Sequence, residues 1–150
     1  QAASRADDME TAIAALTKAS ELGQSKAADK EMATIYLSKA AEVLKAKDYQ
    51  GAYDNAKKSL DIMPTPTAMQ IAGTAALQLK NYDDAIANFE GFLTASPNAR
   101  NADQIKYQLA TAYEAKGDKE NACVNYKAIL NNPQFAEYAK HKVNNELKCQ

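Results

Sequence analysis

The chain has 150 residues, 46% of them hydrophobic and 25% charged, and a formal net charge of −1. This is the balance of one folded domain, long enough to bury about two-thirds of the surface its unfolded chain exposes. No long run of one sign is present to grip a phosphate backbone, so no nucleic-acid partner is expected, and no apolar stretch approaches the ~20 residues of a membrane-spanning segment.

Only five glycines and four prolines interrupt a chain rich in Ala, Lys, Glu, Gln and Leu. All five are good helix formers, which predicts an all-α domain over 1–150. In chain order, residues 6–23 come first, with Met9, Ile13, Leu16 and Ala19 on one helical stripe and Gly23 as C-cap. Three similar segments follow, at 33–65, 66–99 and 103–133. The first contains Lys47-Asp48-Tyr49-Gln50-Gly51-Ala52-Tyr53, and the second Lys80-Asn81-Tyr82-Asp83-Asp84-Ala85-Ile86 at an offset of 33. The third contains Gly117-Asp118-Lys119-Glu120-Asn121-Ala122-Cys123, a further 37 residues on. A proline stands twelve residues after the alanine in the first two copies (Pro64, Pro97) and eleven after it in the third (Pro133). Asp48, Asn81 and Gly117-Asp118 are turn and N-cap chemistry. The alanine suits a close crossing of two antiparallel helices, and the proline ends the second. Last, Phe135, Ala139, Val143 and Leu147 recur every four residues over 134–148, opposite Glu137, Lys140, Lys142, Asn144, Asn145 and Glu146. One apolar stripe backed by polar residues describes a capping helix.

The pattern resembles the tetratricopeptide repeat, a helix–turn–helix unit. In the second copy Gly73 holds the small-residue site, Ala85 its counterpart on the second helix, Phe89 the aromatic site and Pro97 the end. The third supplies Leu109-Ala110, Tyr113, Ala122 and Tyr126. In the first, Ala40 and Ala52 fit, but Ala56 replaces the aromatic and Lys39 the leucine; the family's early tryptophan is absent from all three. Residues 8–13 resemble a degenerate second helix. The resemblance implies a right-handed α-α superhelix of eight helices: one leading, three pairs and one cap. A different α-solenoid or a plain bundle is the competing architecture, against which the spacing of turn, alanine, aromatic and proline argues.

In such a stack the first helix of each pair lines a concave groove. The family's groove positions fall here on Thr34, Leu37, Ala41, Leu44 and Lys45, then Thr67, Gln70, Thr74, Leu77 and Gln78, then Gln104, Tyr107, Thr111 and Glu114. This lining is mostly neutral. The positions at which chaperone-binding members grip a C-terminal carboxylate hold Leu37, Ala41, Ile71, Gln104 and Gln108, so no chaperone tail is expected. The lining suits an extended or helical segment bonded by Gln70, Gln78 and Gln104 and touched by Leu37, Leu44, Leu77 and Tyr107. The plainer alternative is that these residues solvate a helix surface.

Within the stack, Cys123 begins the last second helix and Cys149 ends the antiparallel cap, which makes them a candidate disulfide. The alternative is a small core residue and a separate terminal thiol. His141 has no nucleophile or ligand cluster around it in sequence, and no Gly-rich phosphate loop occurs, so neither enzyme activity, cofactor nor metal is expected. Gln1-Ala2-Ala3-Ser4 is the small-residue kind of start that follows removal of a secretory signal, and the expected location is extracytoplasmic, periplasmic or secreted; a trimmed chain in the cytoplasm is the other reading. The expected function is a scaffold holding a protein or peptide in the groove. The alternative is a structural subunit of a cell-envelope assembly, docking through its outer surfaces.

Overall fold

A computed structural model describes residues 2–23 and 25–150. Among the described residues eight α-helices follow one another: α1 (Ala2–Glu21), α2 (Ser25–Lys45), α3 (Tyr49–Ile62), α4 (Pro66–Gln78), α5 (Tyr82–Ala95), α6 (Ala102–Lys116), α7 (Lys119–Lys127) and α8 (Ala136–His141). A π-helical turn, Lys142–Glu146, continues α8. No strand occurs among the described residues, and the architecture is an all-α repeat solenoid.

Three boundaries differ from expectation. The first repeat, expected from 33, has a first helix that starts at Ser25, because Ala28 and Ala33 are small enough to be buried in an extra two turns beside α1. The second helix of the third copy ends at Lys127, well before Pro133, in turns closed by Ile129 N–H to Tyr126 O and Asn132 N–H to Ile129 O, both 3.1–3.2 Å. The cap expected over 134–148 is α-helical only to His141. Wider bonds then close it, from Leu147 N–H to Lys142 O (2.8 Å) and Cys149 N–H to Val143 O (2.7 Å).

The turn within each pair is built three times in the same way. Asp48, Asn81 and Asp118 donate their N–H groups to Val43, Ala76 and Tyr113, five residues back, at 2.8–2.9 Å. The residue before each donates to Leu44, Leu77 and Glu114, three residues back, at 2.9–3.1 Å. This is a Schellman closure, which requires a left-handed residue in its middle. Lys47 (φ 62°), Lys80 (φ 61°) and Gly117 (φ 90°) fill that place. The next residue caps the following helix at once: Asp48 Oδ1 accepts from Gly51 N–H (2.9 Å) and Asp118 Oδ1 from Asn121 N–H (3.1 Å). Asn81 instead donates through Nδ2 to Asp84 at 2.8 Å.

Ala52, Ala85 and Ala122 are fully buried at the crossings, as are Phe89 and Tyr126. One apolar cluster joins α2, α3 and α4 through Ala40, Ala52, Ala56, Ile71, Ala72 and Ala75. A larger one runs from Ala76 of α4 through Phe89, Phe92, Ile105 and Leu109 to Phe135, Ala139 and Val143 of the cap. The leading helix is set differently: Met9, Ile13, Leu16 and Ala19 are only half-buried against α2.

Candidate functional site: the inner wall

The helices divide into two walls. The backbones of α2 and α4, and of α4 and α6, approach closely, whereas those of α1, α3, α5 and α7 stand apart from one another and a side-chain bond, Tyr53 to Asp84, bridges α3 and α5. A stack whose first helices meet while its second helices splay apart curves toward the first helices, which form its concave side.

Polar side chains stitch this wall across its seams. Asn101, at the start of α6, donates through Nδ2 to Gln70 Oε1 of α4 (3.1 Å). Gln108 Nε2 donates to Thr74 Oγ1 (3.2 Å). Gln70 takes part in the Asn101 bond through its carbonyl oxygen, not its Nε2 donors. Leu37, Ala41 and Leu44 are half-buried against the first apolar cluster, and Leu77 against the second. Thr34, Lys45, Thr67 and Gln78 are exposed, and Gln104 is partly so.

The α6 end of the wall differs from the sequence expectation, because the chain's own cap reaches over it. Tyr107 stacks on Phe135 (centroids 5.3 Å apart, planes 18° apart) and meets Tyr138 edge-on at 5.4 Å. Burial pushes its hydroxyl above the ordinary tyrosine range. Thr111 Oγ1 donates back to Tyr107 O at 3.0 Å. Glu114 accepts from the Tyr126 hydroxyl (2.8 Å) and from Lys142 Nζ (2.7 Å). Burial works against the Lys142 ammonium, but Glu114 and Glu146 more than offset it and hold its pKa above the usual lysine range. Tyr107 and Glu114 are thus already engaged with the cap.

Tyrosine hydroxyls elsewhere tie neighbouring helices together. Tyr53 of α3 donates to Asp84 of α5, and that bond, with burial and the carboxylate's charge behind it, raises its pKa to about 12. Tyr113 of α6 donates to Glu90 of α5 and is likewise pushed to about 12, chiefly by burial. At the C-terminal end Cys123 and Cys149 form a disulfide with Cα atoms 5.7 Å apart, which fastens the end of the chain to α7. His141 is exposed on the cap beside Asn145 (3.0 Å) and Glu146 (3.1 Å).

Sequence reasoning missed Asn101, Phe135, Tyr138 and Lys142 as parts of this wall, and the bond Gln108 makes across it. A usable signal was there: the stitched partners lie 31 and 34 residues apart, close to one repeat. Polar residues one period apart on first helices are the ones that meet.

Helical hairpins repeated and stacked in this way define a protein–protein interaction scaffold. Residues 66–98 and 103–132 match the family model described as Tetratricopeptide repeat. Those residues are tetratricopeptide repeats, and the first hairpin, α2–α3, repeats their turn geometry outside the matched residues. No curated protein matches it. No helix among the described residues is long and apolar enough to cross a membrane.

Proposed function

We propose that the inner wall over α2, α4 and the start of α6 holds an extended or helical segment of a partner protein. The observation that carries this reading is the wall's make-up. Its helices are in contact, its centre is stitched by Gln70–Asn101 and Thr74–Gln108, and Thr34, Thr67, Gln78 and Gln104 present neutral polar groups beside half-buried Leu37, Leu44 and Leu77. Backbone hydrogen bonds to the amides would fix such a segment, and the leucines would take its apolar side chains. No lysine or asparagine stands at the positions a carboxylate clamp needs, so an internal segment fits better than a chain terminus. We place the protein outside the cytoplasm on the support of the Cys123–Cys149 bond, since reducing compartments keep thiols apart. The wall holds no nucleophile–base pair, and the role is non-catalytic.

Photo-crosslinking residues inserted singly at Thr67, Gln78 and, on the outer wall, Val124 test the reading in cells. Adducts from Thr67 and Gln78 but not from Val124 support it. Adducts from Val124 alone, which is 60% exposed, would overturn it in favour of outer-surface docking within an envelope assembly.

A further inference from the structure

The other face of the molecule carries a cleft of about 340 Å³ between α1, α2 and α3, in the size range of small-molecule sites. Its apolar wall comes from Met9 and Ile13 of α1 and Ile35 of α2, and its polar lining from Tyr36, Lys39 and Lys58, with Glu10 from α1. It exists because α1 is held only by half-buried side chains and does not touch α3.

The repeats themselves serve as the control for what is unusual here. The places of Lys39 and Lys58 in the first copy are those of Ala72 and Gly91 in the second and of Leu109 and Ala128 in the third. Small or apolar residues stand at these places elsewhere, and Met69 leans to within contact distance of Gly91. Only the copy bordering the cleft has two lysines, and both line it. Neither is strongly committed. Lys39 lies 3.8 Å from Glu42 in an exposed pair of little energetic weight. Lys58 Nζ sits 5.4 Å from the centre of the Tyr36 ring and makes no ion pair among the described residues. Two ammonium groups face the single carboxylate of Glu10, which leaves the cleft cationic.

We infer that this cleft binds an amphiphile with one anionic headgroup, carboxylate or phosphate, its apolar chain lying along Met9, Ile13 and Ile35 and its headgroup between Lys39 and Lys58. The site is separate from the inner wall, and its occupation would fasten the loosely held α1 to α2 and α3.

Titration calorimetry of the full chain with decanoate and with decyl phosphate, each below its micelle concentration, tests this and distinguishes the two headgroups. Binding of at least one is expected, with chemical-shift changes confined to residues around Ile13, Tyr36 and Lys39. The double variant Lys39→Met, Lys58→Met keeps the apolar stems and should weaken anion binding about tenfold or more while leaving decanol unaffected; Glu10→Gln should tighten it. Ile13→Glu should abolish binding of both. The inference is overturned if neither anion binds, if the double methionine variant binds as the parent does, or if Ile13→Glu leaves affinity unchanged. Circular dichroism of each variant separates loss of a site from loss of the fold.

Discussion

Replacing Gly73 by alanine adds one methyl group at the closest approach of α4 and α5. The new Cβ would stand 2.7 Å from Phe89 Cε1 and 2.8 Å from Cδ1, inside the distance real carbon contacts tolerate. Phe89 is fully buried, so the ring has no room to swing aside. Overpacking of this kind costs about 1–3 kcal/mol, against which alanine returns about 1 kcal/mol of helix propensity. Contacts this short put the cost at about 2–3 kcal/mol, so the expected net loss is about 1–2 kcal/mol, or roughly 2–8 °C in midpoint for a domain of this length. Urea denaturation followed by circular dichroism measures it. Adding Phe89→Leu should recover much of the loss, although Phe89→Leu alone is itself destabilising, giving a favourable coupling of about 1 kcal/mol between neighbours in contact. The same helical position carries Ala40 and Ala110 in the other two copies. If Gly73→Ala were neutral or stabilising in the Phe89 background, steric exclusion would not be the reason for a glycine there.

The left-handed turn residues make a second test: Lys47→Gly and Lys80→Gly should each stabilise by about 1 kcal/mol, and Gly117→Ala should cost about as much, all read from urea midpoints. Opening the disulfide by Cys149→Ser should lower stability by about 3 kcal/mol in the chain-entropy account of a 26-residue separation, with cap amides exchanging hydrogen before those of α4; unchanged cap exchange would contradict it. The Tyr53 and Tyr113 hydroxyls are raised from 10.0 to about 12 in the folded state, so their contribution is whole below pH 10 and fades as pH climbs toward 12. Phenolate absorbance should show slow-titrating tyrosines that revert to ordinary behaviour on unfolding, and a uniform titration of the native chain would count against those bonds. Asp103 is held below its ordinary 3.8 by Asn132 and Lys106, so the tie between α6 and the Asn132 loop persists above that value and is released as pH falls beneath it, a change that Asn132→Ala should diminish.

The repeated hairpins were legible because their physics is local. A turn former followed three or four residues later by alanine, then an aromatic, leaves a mark in any window long enough to contain one copy. Ser25 as the start of α2 left no such mark, since that segment is helical through its packing on α1 and bears no repeat signature. The π-turn at Lys142–Glu146 was equally hidden. An uninterrupted four-residue recurrence through Leu147 reads as a plain helix until the chain end is seen to meet Cys123. The groove positions were located by resemblance, and all of them fall on the first helices α2, α4 and α6. Tyr107 and Glu114 were not recognisable as engaged, because the cap that reaches them comes from some thirty residues further along. The outer cleft was legible only in reverse. Lys39 registers in the sequence as a departure from the pattern, and its meaning depends on Lys58 and α1 lying beside it.

The contact of the inner helices, beside the separation of the outer ones, gives the molecule a mechanical asymmetry. Pinching the curve tighter compresses a packed seam, while relaxing it stretches two amide hydrogen bonds and draws together outer helices whose backbones stand apart. The arc is therefore stiff toward closing and compliant toward opening. A bulky occupant of the concave side would be accommodated by unbending, and anything wedged between α1 and α3 would resist that unbending at one end of the stack.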